Sequence, residues 1–138
     1  MTDQHDSILA LAKSYFAMWS NSDFEGARAL LADDVSIVLP NSGGSSPEPA
    51  FVFNGVESAV GYLQFAMSIF TSITFDDEQW FVSDDDRTVH LHARGDMTTR
   101  DGKPYTNVYV FRITVDDGKI THVDEYTNPI IWQDLGVS

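Results

Sequence analysis

The chain has 138 residues and a mass of 15.4 kDa, and its 43% hydrophobic and 12% aromatic residues suffice to build the core of one domain spanning residues 1–138. Its 21 acidic and 8 basic side chains give a net charge of −13, so nucleic acid and membrane are not expected partners, because binding to phosphates needs a basic face. The absence of cysteine excludes disulfides, thiol catalysis and thiolate metal sites. No long apolar run and no signal-peptide pattern is found, which predicts a cytoplasmic protein.

Three segments in the first half of the chain predict helices. Asp6 or Ser7 is expected to cap the first, whose apolar residues follow the i, i+3, i+4 spacing: Ile8, Leu11, Ala12, Tyr15 and Trp19. Asp23 is expected to cap the second. The third begins after Asn54, which forms the pattern of a capping box with a glutamate three residues later.

The segment 40–49, PNSGGSSPEP, separates a predicted short strand at 35–39 from a brief strand at 51–53. Its density of Gly, Ser and Pro predicts a mobile loop, with a lid over a cavity as the alternative.

The second half of the chain predicts an antiparallel meander. Strands are expected at 73–82 and 88–99, followed by a long hairpin over 105–129, because β-branched and aromatic residues alternate between turn-forming segments. Helices followed by a meander predict an α+β fold, with the helices on one face of a curved sheet.

The hairpin turn decides where Glu125 lies. In the first arm, Tyr109 and Phe111 share one face because side chains alternate along a strand. A two-residue turn at 117–118 pairs Tyr109 with Tyr126, whereas a three-residue loop with Gly118 in the left-handed conformation pairs Tyr109 with Glu125. We adopt the three-residue loop, which predicts a single carboxylate in an aromatic surface.

The strand 88–99 carries ionisable residues on one face: His90, His92, Arg94 and Asp96. A two-residue turn at 101–102 places this face beside Glu125, and a three-residue loop reverses it to the solvent side, where Arg94 and Asp96 form an exposed pair of little energetic value. The two histidines share a strand face and are candidates for a metal site, but without a clear third ligand we predict none.

The hairpin region carries several distinctive motifs: Tyr105-Thr-Asn107, the spaced Tyr109 and Phe111, the 117–120 turn and the run Glu125-Tyr-Thr-Asn-Pro129. Together they resemble the nuclear transport factor 2 like superfamily, in particular its SnoaL-like branch. The N-terminal segments 15–19, 23–26 and 31–35 also resemble that superfamily's opening helices. The resemblance implies a cone-shaped α+β barrel of three helices on a curved antiparallel sheet, which serves isomerases, cyclases, hydrolases and binding modules. It also implies a homodimer formed through the outer face of the sheet.

Three enzyme families of this superfamily imply different site residues. Ketosteroid isomerases match at Tyr15, but Leu39 stands at the position of their base and Tyr109 at that of their protonated aspartate. Limonene epoxide hydrolases match at Arg94-Gly-Asp96, at Asn41 and at Glu125, which replaces an aspartate.

The phenazine biosynthesis A/B family has a similar closing segment, in which the counterpart of Glu125 is the acid/base.

We therefore predict a largely apolar pocket for a small hydrophobic ligand and a cofactor-independent acid/base enzyme, with a non-catalytic binding or assembly module as the alternative. Glu125 is the predicted acid/base, assisted by Asp96 and Arg94. The predicted substrate-binding residues are Tyr15, Trp19, Asn41, Tyr62, His92, Asn107, Tyr109 and Phe111.

Overall fold

A computed structural model describes residues 3–136. Its helices are α1 (Asp3–Asn21), α2 (Phe24–Leu30), α3 (Val56–Ser68) and α4 (Pro129–Asp134). Its strands are β1 (Leu31–Leu39), β2 (Phe51–Asn54), β3 (Phe70–Val82), β4 (Thr88–Thr99), β5 (Pro104–Asp116) and β6 (Lys119–Thr127). In the described part of the chain, no helix combines the length and the hydrophobicity needed to span a membrane.

The strands form one mixed sheet in the order β2-β1-β6-β5-β4-β3. Strands β3 to β6 form the predicted antiparallel meander, and β1 adds to β6 in parallel. Burial alternates residue by residue along β5, so one face of the sheet is the core face and the other faces outward. Helices α1 and α3 contact the sheet, and the predicted α+β class is confirmed.

The helix ends agree only in part with the predicted caps. Asp23 caps α2 as predicted, since its Oδ1 accepts a hydrogen bond of 2.9 Å from the Gly26 N–H. Helix α1 begins at Asp3, so the predicted cap at Asp6 or Ser7 is wrong; Asp6 lies instead in the first turn, where a carboxylate complements the helix dipole. The capping box at Asn54 is also wrong, because its side chain accepts a hydrogen bond from the Ser36 hydroxyl.

Helix α4 was not predicted. Its start has a clear local cause, because the Asn128 side chain accepts a hydrogen bond of 3.0 Å from the Ile130 N–H, and Pro129 occupies the first helical position.

The β5–β6 hairpin differs from the predicted three-residue loop. Asp117 (φ 51°) and Gly118 (φ 75°) both have positive φ, as a two-residue type I′ turn requires. The register then shifts by one residue on β6, where Thr121 lies between the residues that pair with Val115 and Thr114. A two-residue turn alone would place Glu125 on the outer face of the sheet. The extra residue in the bulge reverses the faces again, so Glu125 stays on the core face, opposite Phe111.

The β4–β5 connection is the three-residue alternative. The Thr99 N–H donates to the Lys103 carbonyl at 2.9 Å, which leaves residues 100–102 as the loop, and Gly102 has a φ of 88°. Arg94 therefore pairs with Val108 and Asp96 with Thr106, and both charged side chains lie on the outer face of the sheet.

The segment 40–49 is tied down at its base. The Ser42 hydroxyl accepts hydrogen bonds from the N–H groups of Ala50 and Phe51 at 2.9 and 3.1 Å, and it donates to the Leu39 carbonyl at 2.6 Å. The Asn41 side chain donates to the Thr127 carbonyl at 2.6 Å, which joins the loop to the end of β6. The base of the loop is thus a fixed edge of the structure.

Candidate functional site

A cavity of about 430 Å³ lies between the helices and the core face of the sheet. Side chains of α1 and α3, the core faces of β1 to β6, the base of the 40–49 loop and α4 form its wall. Eleven of its twenty-one lining residues are aromatic, and the size is that of a small-molecule site. The cavity matches the predicted apolar pocket in both position and character.

Among the wall residues that the structure describes, Glu125 is the one acidic side chain, and none is Lys, Arg or His. It is 6% exposed, and its Oε2 accepts a hydrogen bond of 2.9 Å from the Tyr62 hydroxyl. Burial raises the pKa of Glu125 to about 7, because desolvation disfavours the carboxylate, and the Tyr62 hydrogen bond offsets only part of that effect. Within residues 3–136 no group is hydrogen-bonded to Oε1. Such a carboxyl group can give or take a proton near neutral pH.

The tyrosines near Glu125 remain neutral. Burial is the main cause that raises the pKa of Tyr15, Tyr62 and Tyr109, and the negative charge of Glu125 raises each of them further. The Tyr62 ring stacks on Phe53 with centroids 4.6 Å apart, which holds its hydroxyl group against the carboxylate. These phenols can donate hydrogen bonds without becoming charged.

Tyr109 lies across the floor of the cavity because the neighbouring strand leaves room for its ring. A Cβ atom added at Gly95 would lie 2.7 Å from Tyr109 Cε2 and 2.8 Å from Met97 Cε, closer than real contacts allow. The Tyr109 hydroxyl has a weak contact of 3.9 Å with Met97 Sδ.

Five of the predicted substrate-binding residues line the cavity: Trp19, Asn41, Tyr62, Tyr109 and Phe111. Trp19 belongs to α1, and its ring meets Tyr62 edge-on with centroids 6.5 Å apart. Its Nε1 is buried and has no hydrogen-bond partner among the described residues.

Two other predicted binding residues do not line the cavity. Tyr15 is 1% exposed and lies in the core. Asn107 is also 1% exposed, and its side chain binds the main chain of Asn128, accepting from the N–H at 3.0 Å and donating to the carbonyl at 3.2 Å. It also donates to the Tyr105 hydroxyl at 2.7 Å. Asn107 therefore holds the start of α4, whose Trp132 closes the cavity beside Tyr105.

The predicted placement of Arg94, Asp96 and His92 beside Glu125 is wrong. The three-residue loop turns them to the outer face, where the side chains of Arg94 and Asp96 are 55% and 42% exposed and lie 3.8 Å apart. His92 contacts Phe81 on the same face. Among the described residues, no three acidic or histidine side chains cluster as metal ligands would.

Several cavity residues were not predicted: Phe53, Phe65, Phe70, Phe75, Met97 and Trp132. The strand alternation places Phe75 and Met97 on the core face, so they carried a usable signal. Phe53 and Trp132 gave none, because β2 and α4 are too short for a periodic pattern.

The sequence model of the SnoaL-like domain family matches residues 12–123, which are most of the chain. The chain belongs to this family. The predicted resemblance to the SnoaL-like branch is confirmed, and no curated protein matches the sequence.

Several solved structures share the fold of this chain. A proposed isomerase from Bacillus subtilis is 19% identical, with a TM-score of 0.83 over 99% of this chain and 98% of that one. A proposed polyketide cyclase from Xanthomonas campestris pv. campestris is 19% identical, with a TM-score of 0.78 over 94% and 96%. A Mycobacterium tuberculosis protein in complex with estradiol-17β-hemisuccinate is 22% identical, with a TM-score of 0.77 over 91% and 96%. At these identities, the likeness shows a common fold.

Proposed function

We propose that this SnoaL-like domain binds a small hydrophobic molecule in the cavity and that Glu125 acts on it as a general acid/base. The observation that carries the proposal is a buried carboxyl group, with a pKa of about 7, in an otherwise uncharged aromatic wall. A group with this pKa is present in both protonation states at neutral pH, so it can take a proton from one atom and return it to another. The neighbours described as an isomerase and a polyketide cyclase are consistent with proton-transfer chemistry of this kind.

In this proposal, Tyr62 positions the carboxyl group rather than reacting. Its hydroxyl occupies Oε2, which leaves Oε1 for the ligand. Tyr109 offers a second phenol on the same wall, where its side chain interacts with the Met97 sulfur and with the Tyr105 side chain. The aromatic rings provide flat apolar surface and exclude water, which keeps the ligand oriented.

An isomerase- or cyclase-type reaction is favoured over epoxide hydrolysis. The hydrolase chemistry needs a second carboxylate and an arginine beside Glu125, but Asp96 and Arg94 lie on the opposite face of the sheet. Glu125 would thus act with phenols alone.

The test uses 2-tetralone, a compact bicyclic ketone with acidic α-hydrogens, in deuterated buffer at pH 7. We expect the native protein to accelerate α-hydrogen exchange, followed by proton NMR, and Glu125→Gln to lose the acceleration while keeping a native circular dichroism spectrum. Binding of 2-tetralone by both proteins, with no acceleration by either, would favour the non-catalytic binding module. Binding by neither would leave no support for the ligand site.

A second variant isolates the hydrogen bond. Tyr62→Phe removes a donor that stabilises the carboxylate, so the pKa of Glu125 should rise further above its ordinary value. Carbon-13 NMR titration of the glutamate carboxyl groups measures this directly. An unchanged or lower pKa would contradict the assigned role of Tyr62.

We also propose that two copies of the chain associate through the outer face of the sheet. This face exposes Phe81, Val108 and Tyr126, at 53%, 59% and 39%. The ion pair of Arg94 and Asp96 lies on the same face, so two copies related by a two-fold axis could exchange these partners. Sedimentation should give a dimer for the native chain and for Val108→Thr, and a monomer for Val108→Glu. A monomeric native chain would overturn the proposal.

A further inference from the structure

We infer that the cavity selects hydrophobic ligands that carry a positively charged nitrogen, such as a protonated amine. This inference names a ligand class for the site proposed above and rests on that site. It follows from the charges and rings that surround Glu125, which are the same whether or not the protein is an enzyme.

The wall of the cavity offers no counter-charge for an anion. None of its twenty-one described residues is Lys, Arg or His, and Glu125 is the one acidic residue among them. An anionic ligand would lose its hydration without gaining a counter-charge, and it would be repelled by the Glu125 carboxylate. A cation would gain that carboxylate as a partner.

The rings strengthen the preference for a cation. Aromatic faces attract cations through the negative charge above and below the ring, and tryptophan and tyrosine do so most strongly. Trp19, Tyr62 and Tyr109 line the cavity with Glu125, and Tyr62 contacts it directly. A nitrogen bound at Oε1 would thus lie in the part of the cavity where these rings meet the carboxylate.

The groups packed around Glu125 bear no positive charge that would compete with such a ligand. The titratable side chains that act on it or are affected by its charge are Tyr15 from α1, Tyr62 from α3, and Tyr105 and Tyr109 from β5. All are phenols that burial keeps neutral. The ligand would therefore supply the missing counter-charge.

The charge of the whole chain acts in the same direction. A net charge of −13 over 138 residues produces a negative potential that raises the local concentration of cations and lowers that of anions. The global field and the local wall are independent observations, and both disfavour an anion.

Binding of a cation would be linked to the ionisation of Glu125. The carboxyl group is mostly protonated below pH 7 and mostly ionised above it, because its pKa is about 7. A protonated amine should therefore bind tightest between that value and the pKa of the amine itself. A neutral ligand should show little dependence on pH in this range, and an anion should bind better at low pH.

The test compares three ligands with one ring system: 2-naphthylmethylamine, 2-naphthylmethanol and 2-naphthoate. Calorimetry at pH 8.0 should show the amine binding at least about tenfold tighter than the alcohol, equivalent to about one pKa unit of coupling, and the naphthoate binding weakest. At pH 5.5 the amine should lose at least about tenfold in affinity while the alcohol changes by less than about threefold.

Two variants separate charge from shape. Glu125→Gln keeps the size of the side chain and an acceptor for the Tyr62 hydroxyl, and it should abolish the preference for the amine over the alcohol. Glu48→Gln removes a negative charge at an exposed position outside the cavity wall and should retain the preference for the amine at pH 8.0.

The outcomes distinguish this inference from the proposed function. An alcohol or naphthoate that binds as tightly as the amine at pH 8.0 overturns the inference and leaves the ligand site standing. If none of the three binds, both the inference and the ligand site fall.

Discussion

Replacing Glu125 by glutamine should make the folded protein more stable at alkaline pH. The folded-state pKa of Glu125 is about 7 against an ordinary value of 4.5, because the carboxyl group is buried among apolar side chains. The gap corresponds to about 3 kcal/mol, since each pKa unit is worth about 1.4 kcal/mol. Ionising Glu125 therefore costs the native protein a large fraction of a typical free energy of unfolding.

The sign of the effect follows from where the proton is held. Below about pH 4.5 the group is protonated in both folded and unfolded chains, so it costs nothing. Between pH 4.5 and 7 the unfolded chain releases the proton while the folded chain keeps it, so the free energy of unfolding falls as pH rises. Above pH 7 the full cost is present. About 2 kcal/mol of it should develop between pH 5.5 and 8.5.

Urea denaturation at both pH values measures this difference. The free energy of unfolding of Glu125→Gln, relative to the native chain, should increase by about 2 kcal/mol from pH 5.5 to 8.5. The control is Glu48→Gln, the same chemical change at an exposed position of the 40–49 loop, which should change the free energy by less than about 0.5 kcal/mol at either pH. A difference for Glu125→Gln that stays constant over this range would refute the raised pKa.

Two further substitutions test residues that support the cavity wall from behind it. Gly95→Ala places a methyl group 2.7 Å from the Tyr109 ring. It should lower the free energy of unfolding by about 1–3 kcal/mol, measured by urea denaturation, and weaken ligand binding, measured by calorimetry. The control is Gly61→Ala in helix α3, where an added Cβ atom has no neighbour within 4 Å. This substitution should increase the free energy of unfolding by about 0.5–1 kcal/mol, because alanine favours the helix over glycine. Equal effects at both positions would argue against the packing role of Gly95. Asn107→Ala leaves the main-chain groups of Asn128 unpaired at the start of α4. It should lower the free energy of unfolding by about 2–4 kcal/mol and speed amide hydrogen exchange in α4. Unchanged exchange in α4 would show that Asn107 does not hold the start of this helix.

Much of the fold followed from local patterns. Along the strands at 88–99 and 105–116, core-facing and outward-facing side chains alternate, as a strand with one buried face requires. The helix at 56–68 has apolar residues repeated at the helical period. The start of α1 and the whole of α4 were harder to predict, because polar first turns and six-residue helices carry little periodic signal.

The composition of the site depends on whether two hairpin loops have an even or an odd number of residues, because one residue more or less moves every following side chain to the other face of the sheet. The local sequence specifies these loop lengths only weakly. At the β5–β6 hairpin, a two-residue turn and the bulge at Thr121 cancel, so the predicted face of Glu125 was right although the predicted loop and its Tyr109 partner were wrong. The β4–β5 hairpin has a three-residue loop and no bulge that would reverse its effect, so Arg94 and Asp96 lie on the outer face of the sheet. One residue more or less in a loop thus decided which carboxylates could share a site.

The chemical character of Glu125 could not have been predicted from its own strand. Its raised pKa comes from burial between layers that are far apart in the sequence. Tyr62, which packs against it from α3, is 63 residues away, and its hydrogen bond lowers the pKa without cancelling the effect of burial. Strand β6 lies between β1 and β5, so its core face is flanked on both sides, and Tyr62 of α3 contacts the Glu125 carboxyl group there. Glu125 is therefore only 6% exposed, whereas a carboxylate on an edge strand could turn toward solvent. The central place of β6 in the sheet is therefore what gives an ordinary glutamate a pKa of about 7, and with it the capacity to exchange a proton at neutral pH.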